Sequence, residues 1–176
     1  FCLFLGGDLC IEVGNLMIRH TMKLVKVTPK YKWDIFLKLS YDYFQENWPQ
    51  IYECKSFSEF QSEYQDKLLQ RIEQGGRHLF LFQENENFIG LSNLYFNLED
   101  NHKLNIAEFY ICPRVRRQSF GNSFLKLLIN WAENEGARNL RAEVDKELLG
   151  ANQFWSSIGK LLPTTSDRNT YDIHLD

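Results

Sequence analysis

The first regular pattern along the chain is Lys23-Leu24-Val25-Lys26-Val27, whose polar and apolar positions alternate as on a half-buried strand. Thr28-Pro29 then reads as a helix entry, because proline is tolerated in a first helical turn. A helix over 31–46 places Ile35, Phe36, Leu39 and Tyr43 on one face, and Trp48-Pro49 ends it. Ser56 and Glu59 have the spacing of a capping box. The helix behind it carries Phe60, Tyr64, Leu68 and Ile72 on one stripe, and Gly75-Gly76 stops it. Three strands follow, near 78–83, 88–96 and 104–112, with polar turns at 84–87 and 99–102. From Ser119 the period changes again: Phe120, Phe124, Leu127, Leu128 and Trp131 recur at helical spacing until Gly136. A strand over 139–144, a helix over 148–158 and two short strands at 161–162 and 171–175 complete the chain.

The predicted order is strand, helix, helix, three strands, helix, strand, helix, strand, strand. That is a mixed α/β domain with an antiparallel front and a βαβ-like rear. Residues 1–21 do not resemble the remainder, and Met22 opens the clean pattern. The expected division is an N-terminal extension over 1–21 and a single domain over 22–176.

Composition narrows the function classes. Fourteen Phe, eight Tyr and four Trp are enough rings to dominate one core. A net charge of -3 lacks the basic footprint of a nucleic-acid binder. No apolar run reaches the ~18 residues of a membrane span. Cys2, Cys10, Cys54 and Cys112 match no zinc spacing and no Cys-x-x-Cys motif, and free thiols in a reducing cytoplasm fit them, although a Cys2–Cys10 disulfide fits the sequence too. His20, His78, His102 and His174 form no metal-ligand pair on one element, and no Gly-x-Ser-x-Gly elbow occurs.

The stretch from Ile111 to Ser123 carries the most chemistry. It runs from a strand end through Arg114, Arg116 and Arg117 into a helix start. A helix start exposes unpaired N–H groups and partial positive charge, which suit a phosphate. Gly121 lets the backbone approach an anion, and the arginines add charge-assisted donors. A pyrophosphate fits such a turn, although many strand-turn-helix units with one glycine bind nothing. Dinucleotide and P-loop signatures are absent.

Here the chain resembles the GNAT superfamily of N-acetyltransferases. Arg116 to Gly121 are similar to its (Arg/Gln)-x-x-Gly-x-(Gly/Ala) loop, with Ser119 in place of the first glycine. Ile111-Cys112-Pro113 looks like its strand end, and Ala151-Asn152-Gln153-Phe154-Trp155-Ser156-Ser157-Ile158-Gly159 resembles its Ala-x-x-Phe-Tyr-x-x-x-Gly run. The match covers about residues 79–160. It implies a mostly antiparallel twisted sheet of about seven strands with about four helices. It also implies acetyl-CoA as cosubstrate and an amine as acceptor, joined in a ternary complex.

Carried over residue by residue, the resemblance implies that the N–H groups of Arg116, Arg117, Gln118, Ser119, Phe120, Gly121, Asn122 and Ser123 hold the pyrophosphate. The backbone of Ile111, with Tyr110 and Phe109 beside it, would pair with the pantetheine arm. Glu108 is the candidate base. Trp155 stands where the family has its proton-donating tyrosine, and an indole N–H is no useful acid. Tyr110, Tyr171 and Cys112 are the substitutes, with Trp155 left to pack on the pantetheine or in the core. Leu148 falls where the family has an asparagine, and Asn152 could replace it one turn on. If Ser119 needs a left-handed backbone, its Cβ costs about 1–2 kcal/mol, although a serine also caps helices well and its hydroxyl could reach a phosphate.

Three functions fit: a cytoplasmic N-acetyltransferase, an acyl-CoA-binding module without turnover, and an interaction domain without coenzyme. Acceptor choice falls to residues 45–55, with Glu46, Trp48, Tyr52 and Glu53. A homodimer through the C-terminal strands or the N-terminal segment is compatible with this reading.

Overall fold

Alternating strands and amphipathic helices assemble into one sheet with helices on both faces. The computed structural model describes residues 6–13, 16–97, 100 and 102–175, with side chains from residue 21 onward. The strands are β1 (Gly6–Val13), β2 (Leu16–Val27), β3 (Arg77–Glu84), β4 (Asn87–Phe96), β5 (Lys103–Ile111), β6 (Asn139–Asp145), β7 (Lys160–Leu162) and β8 (Arg168–His174). The helices are α1 (Trp33–Asn47), α2 (Pro49–Tyr52), α3 (Phe57–Glu73), α4 (Phe120–Asn134) and α5 (Leu149–Ser156). Strand order is β1-β2-β3-β4-β5-β6-β8-β7. Neighbours run antiparallel except β5 and β6, which are parallel and joined by α4 as a crossover.

The predicted order of elements holds, with three local differences. Helix α1 starts at Trp33 rather than at Pro29, because Thr28 and Tyr31 exchange backbone hydrogen bonds of 3.2 and 2.9 Å and Lys32 turns left-handed at φ 60. Pro49 does more than end α1: it opens the one-turn helix α2. Strand β2 begins at Leu16 and pairs with β1, so the ladder runs through the expected boundary at Met22. Cys2 and the side chains of Cys10 and His20 lie outside the described residues, as do Glu99 and Asn101 of one expected turn. Cys54 and Cys112 are free thiols.

Two apolar layers hold the helices to the sheet. Phe120, Phe124, Leu125, Leu128 and Trp131 of α4 and Trp155 of α5 pack on one face, with Phe82, Leu104 and Leu140. Phe36, Leu37 and Leu39 of α1 and Phe60, Tyr64 and Leu68 of α3 cover the other, with Leu79, Leu81 and Leu91. At about 25 cal/mol per Å² of buried apolar surface, such rings supply most of the driving force. The capping box forms as read from sequence: Glu59 N–H donates to Ser56 Oγ, and Ser56 N–H donates to Glu59 Oε2.

One irregularity decides which side chains face which layer. Asn93 pairs with Glu108, but the next residue, Leu94, pairs with Ile106, so Ala107 is an extra residue in β5. Such a bulge shifts the alternation by one. Leu104 and Ile106 face α4, and past the bulge Phe109 and Ile111 face it too. Glu108 is thereby turned toward the α1 and α3 side, which Tyr110 and Cys112 share.

Candidate active site

Strands β5 and β6 pair only from Lys103–Asn139 to Ile106–Ala142. Beyond that point β5 stays with β4 as far as Ile111, and β6 stays with β8 as far as Asp145. The two strands therefore part, leaving a cleft of about 790 Å³ between them. Its floor and α5 wall include Phe109, Phe154 and Trp155, and its α1 wall carries Tyr43, Glu46 and Trp48. Cys112 N–H donates to Ile89 O of β4. By strand alternation Ile111 turns its own N–H and C=O the other way, toward the cleft. The Ile111 carbonyl accepts from Arg116 Nε at 2.8 Å.

The loop at the cleft mouth has the backbone that the sequence suggested. Arg117 and Ser119 both have φ 64, the left-handed region. Ser119 is the N-cap of α4 but makes no capping bond with its side chain, so its hydroxyl is not spent on the helix. Arg116, Arg117, Ser119, Phe120, Gly121 and Asn122 line the cleft. Gln118 and Ser123 do not. Ser123 N–H already donates to Ser119 O at 3.1 Å, the first i−4 bond of α4, so its amide is withdrawn from any anion. A side chain at Gly121 would meet Phe154 Cε2 at 3.2 Å, so this glycine serves helix-to-helix approach in addition to the loop.

Arg116 is not a free phosphate ligand. Its Nη1 and Nη2 donate to the two carboxylate oxygens of Glu46 at 2.5 and 2.8 Å, which raises its pKa further. Its guanidinium carbon lies 5.5 Å from the Tyr110 ring centre. One side chain thus joins the loop, the end of β5 and the end of α1.

The two candidate catalytic residues separate. Tyr110 lines the cleft, and burial, then the neighbouring Cys112, Glu46 and Asp42, push its phenol pKa well up. Glu108 is buried behind that wall and is not part of the lining, because the bulge at Ala107 turns it into the α3 side. Tyr64 O–H donates to its Oε2 at 2.6 Å and Asn93 Nδ2 donates at 3.1 Å. Burial raises the Glu108 carboxyl pKa, and those two bonds with nearby Arg77 oppose the rise. Burial likewise raises the Cys112 thiol.

On the far wall two further expectations change. Asn152 does not line the cleft. Its Nδ2 donates to Asp145 O at 2.9 Å and Leu148 O at 3.0 Å. Its Oδ1 accepts from Asn169 Nδ2 at 2.8 Å and from Tyr171 O–H at 2.9 Å. This amide is the knot that ties α5 to β6 and β8, and it also occupies the Tyr171 hydroxyl. Trp155 is buried edge-on against Phe109, with ring centres 5.4 Å apart, and lines the cleft as an apolar wall.

Several wall residues had no motif to announce them. Trp48 Nε1 donates across the cleft to Asp145 Oδ2 at 3.0 Å, and Arg168 Nε lies 2.7 Å from Asp145 Oδ1. Tyr43 packs edge-on against Trp48 and Tyr110, at 5.6 and 5.8 Å between ring centres. Of the 45–55 segment, Glu46 and Trp48 reach the cleft, whereas Tyr52 packs on Phe44 and Phe60. Arg168 had no signal in sequence, since its place follows from the β6–β8 register that sets it opposite Asp145. Among the described residues no group of three or more His, Cys, Asp or Glu could hold a metal ion, and no helix is long and apolar enough to cross a membrane.

Comparison with known proteins agrees with this geometry. The model of the acetyltransferase (GNAT) family matches residues 40–159. No curated protein matches. Among solved structures, the chain is similar to the PaiA N-acetyltransferase from Thermoplasma acidophilum in complex with coenzyme A, with TM-score 0.68, 14% identity, and coverage of 87% of this chain and 98% of that one. A probable acetyltransferase from Staphylococcus epidermidis gives TM-score 0.66, 15% identity, 88% and 99%. A GNAT family acetyltransferase from Elizabethkingia anophelis with acetyl-CoA bound gives 0.60, 15%, 88% and 98%. At these identities the likeness is one of fold.

Proposed function

Since the chain belongs to the GNAT acetyltransferase family, we propose that it transfers the acetyl group of acetyl-CoA to a primary amine by direct attack in a ternary complex. The observation that carries this reading is the parting of β5 and β6 after Ile106 and Ala142, with the 116–122 loop at its mouth. An open strand edge offers hydrogen bonds to an extended amide-bearing arm, and a helix start offers N–H groups to a diphosphate. Residues 107–111 and the first turn of α4 supply both, so the residues present fit acetyl-CoA. When bound, acetyl-CoA supplies an activated thioester acyl group.

The chain's own residues then have separable roles. The Ile111 N–H orients the pantetheine arm and Gly121 and Asn122 N–H groups meet the diphosphate. Phe109, Phe154 and Trp155 exclude water from the acyl end. Tyr110, on the cleft wall, is the proton donor to the departing sulfur. Glu108 takes up the proton that the amine gives up, with a water between them because its carboxylate stands behind the wall. Burial favours this role by lifting its pKa toward the working pH. Should the amine attack already neutral, no base is needed and Glu108 is a buried anchor for α3.

Two measurements test this. Acetyl-CoA should raise the melting temperature, and an amine panel with acetyl-CoA should give acetylated product by mass spectrometry. Tyr110→Phe should lower kcat with little change in KM, and Glu108→Gln should remove the acidic limb of the pH–rate profile. A second reading is favoured by Trp155, which leaves the usual donor position without a hydroxyl: a domain that binds acyl-CoA without turnover. Stabilisation by acetyl-CoA with no product from any amine would establish it. Absence of any stabilisation would refute both readings.

A further inference from the structure

The α1 half of the cleft has its own chemistry, apart from the phosphate loop. Along β6, Leu140, Ala142 and Val144 belong to the α4 and α5 layer. By alternation Arg141, Glu143 and Asp145 point to the opposite face, the one that α1 covers. The Trp48-to-Asp145 hydrogen bond fixes that orientation. Glu143, Asp145, Tyr43, Trp48 and Tyr110 therefore line the same half of the cleft.

The charges of that half do not balance. The Glu46 carboxylate is held by Arg116, and the Asp145 carboxylate by Trp48 and Arg168. The positive groups on this wall are thus spent on two acids. Glu143 is exposed in the cleft and has no ion-pair partner among the described residues. The C-terminal end of α1 also closes here without a basic residue in its last turn, which adds partial negative charge. Around this surplus stand three aromatic rings, whose faces attract cations.

From this imbalance we infer that the acceptor is an aliphatic amine carrying a second cationic group, and that Glu143 with the rings of Tyr43 and Trp48 selects for it. The inference rests on the transfer reading above and names the substrate class of the same site. A reacting nitrogen must be neutral to attack the acyl carbon. A carboxylate that gripped that nitrogen would keep it as an unreactive ammonium ion. A lone carboxylate in the cleft is useful only when a different charged group occupies it. A second ammonium or guanidinium group on the acceptor meets that condition, and the first amine is then left free to reach the thioester.

The test uses the intact chain loaded with coenzyme A and three probes of equal carbon count: diaminobutane, butylamine and aminobutanoate. Calorimetry should give diaminobutane a Kd about tenfold below that of butylamine, the order expected for one partly exposed charge pair. Aminobutanoate should bind weakest. Glu143→Gln should raise the diaminobutane Kd and KM to the butylamine values while leaving the acetyl-CoA Kd alone. Glu143→Lys should invert the order, placing aminobutanoate above diaminobutane. Glu143 is exposed on a strand, so both variants should keep the parent circular dichroism spectrum and melting profile. Equal affinity for the two amines, or a diaminobutane Kd untouched by Glu143→Gln, would overturn the inference. The two readings fail separately. Selective diaminobutane binding without acetylated product sinks the transfer reading and keeps this one. Equal turnover of butylamine and diaminobutane does the reverse.

Discussion

Replacing Asn152 by alanine separates a structural amide from a cofactor contact. The side chain makes four hydrogen bonds: to Asp145 O, to Leu148 O, from Asn169 and from Tyr171. Three of the four partners lie where water can replace the lost bond, so each contributes about 0.5 kcal/mol, the low end for an intramolecular hydrogen bond. The Tyr171 hydroxyl is different. Tyr171 is only 3% exposed, and a buried donor left without an acceptor costs about 1–3 kcal/mol. The sum is roughly 3 kcal/mol, and for a chain of this length that lowers the melting temperature by roughly 6–12 °C. Urea unfolding should show a lower midpoint with an unchanged slope. Well below its melting temperature the variant should bind acetyl-CoA within about threefold of the parent, because the amide does not face the cleft. A variant that melts with the parent yet loses more than about tenfold in acetyl-CoA affinity would refute this account and return Asn152 to the cofactor site.

Other perturbations have definite signs. At Gly90 an added methyl would sit 2.2 Å from Tyr110 O and 2.9 Å from Phe82 Cδ2, so Gly90→Ala should force β4 from β5 and cost more than about 3 kcal/mol, measured by chemical denaturation. Ser119→Gly should stabilise by about 0.5–1 kcal/mol, since relief of the left-handed strain at φ 64 outweighs the extra freedom of the unfolded glycine; a loss of stability would show that the hydroxyl matters more than the backbone. His78 sits between Phe96 and Trp131, and burial, then Lys26, lower its pKa. A histidine whose folded pKa lies below its unfolded value near 6.5 contributes stability above that pH and loses it as pH falls further. The melting temperature should therefore decline below about pH 6.5, and His78→Phe should flatten that part of the profile.

What the sequence determined by itself was local. Period-2 and period-3.6 patterns depend on neighbours a few residues apart, so they exposed the order of strands and helices, and the capping box at Ser56 and Glu59. Glycines at φ 85, 71 and 86 closed helices where Gly75, Gly76 and Gly136 stood. The phosphate loop was legible for the same reason: a helix start, an arginine run and a left-handed Ser119 are all written within a few residues.

The composition of the cleft walls was decided elsewhere. The extra residue at Ala107 exists only because β4 pairs with β5 in a shifted register, and that shift alone sends Glu108 behind the wall. Trp48, Asp145 and Arg168 meet although 97 residues separate the first two. Asn152 points inward because Tyr171 and Asn169 of β8 offer it partners there. Sequence periodicity records which face of an element is apolar. It carries no information on which distant segment will cover that face, because that choice is settled by the packing energy of the whole chain at once.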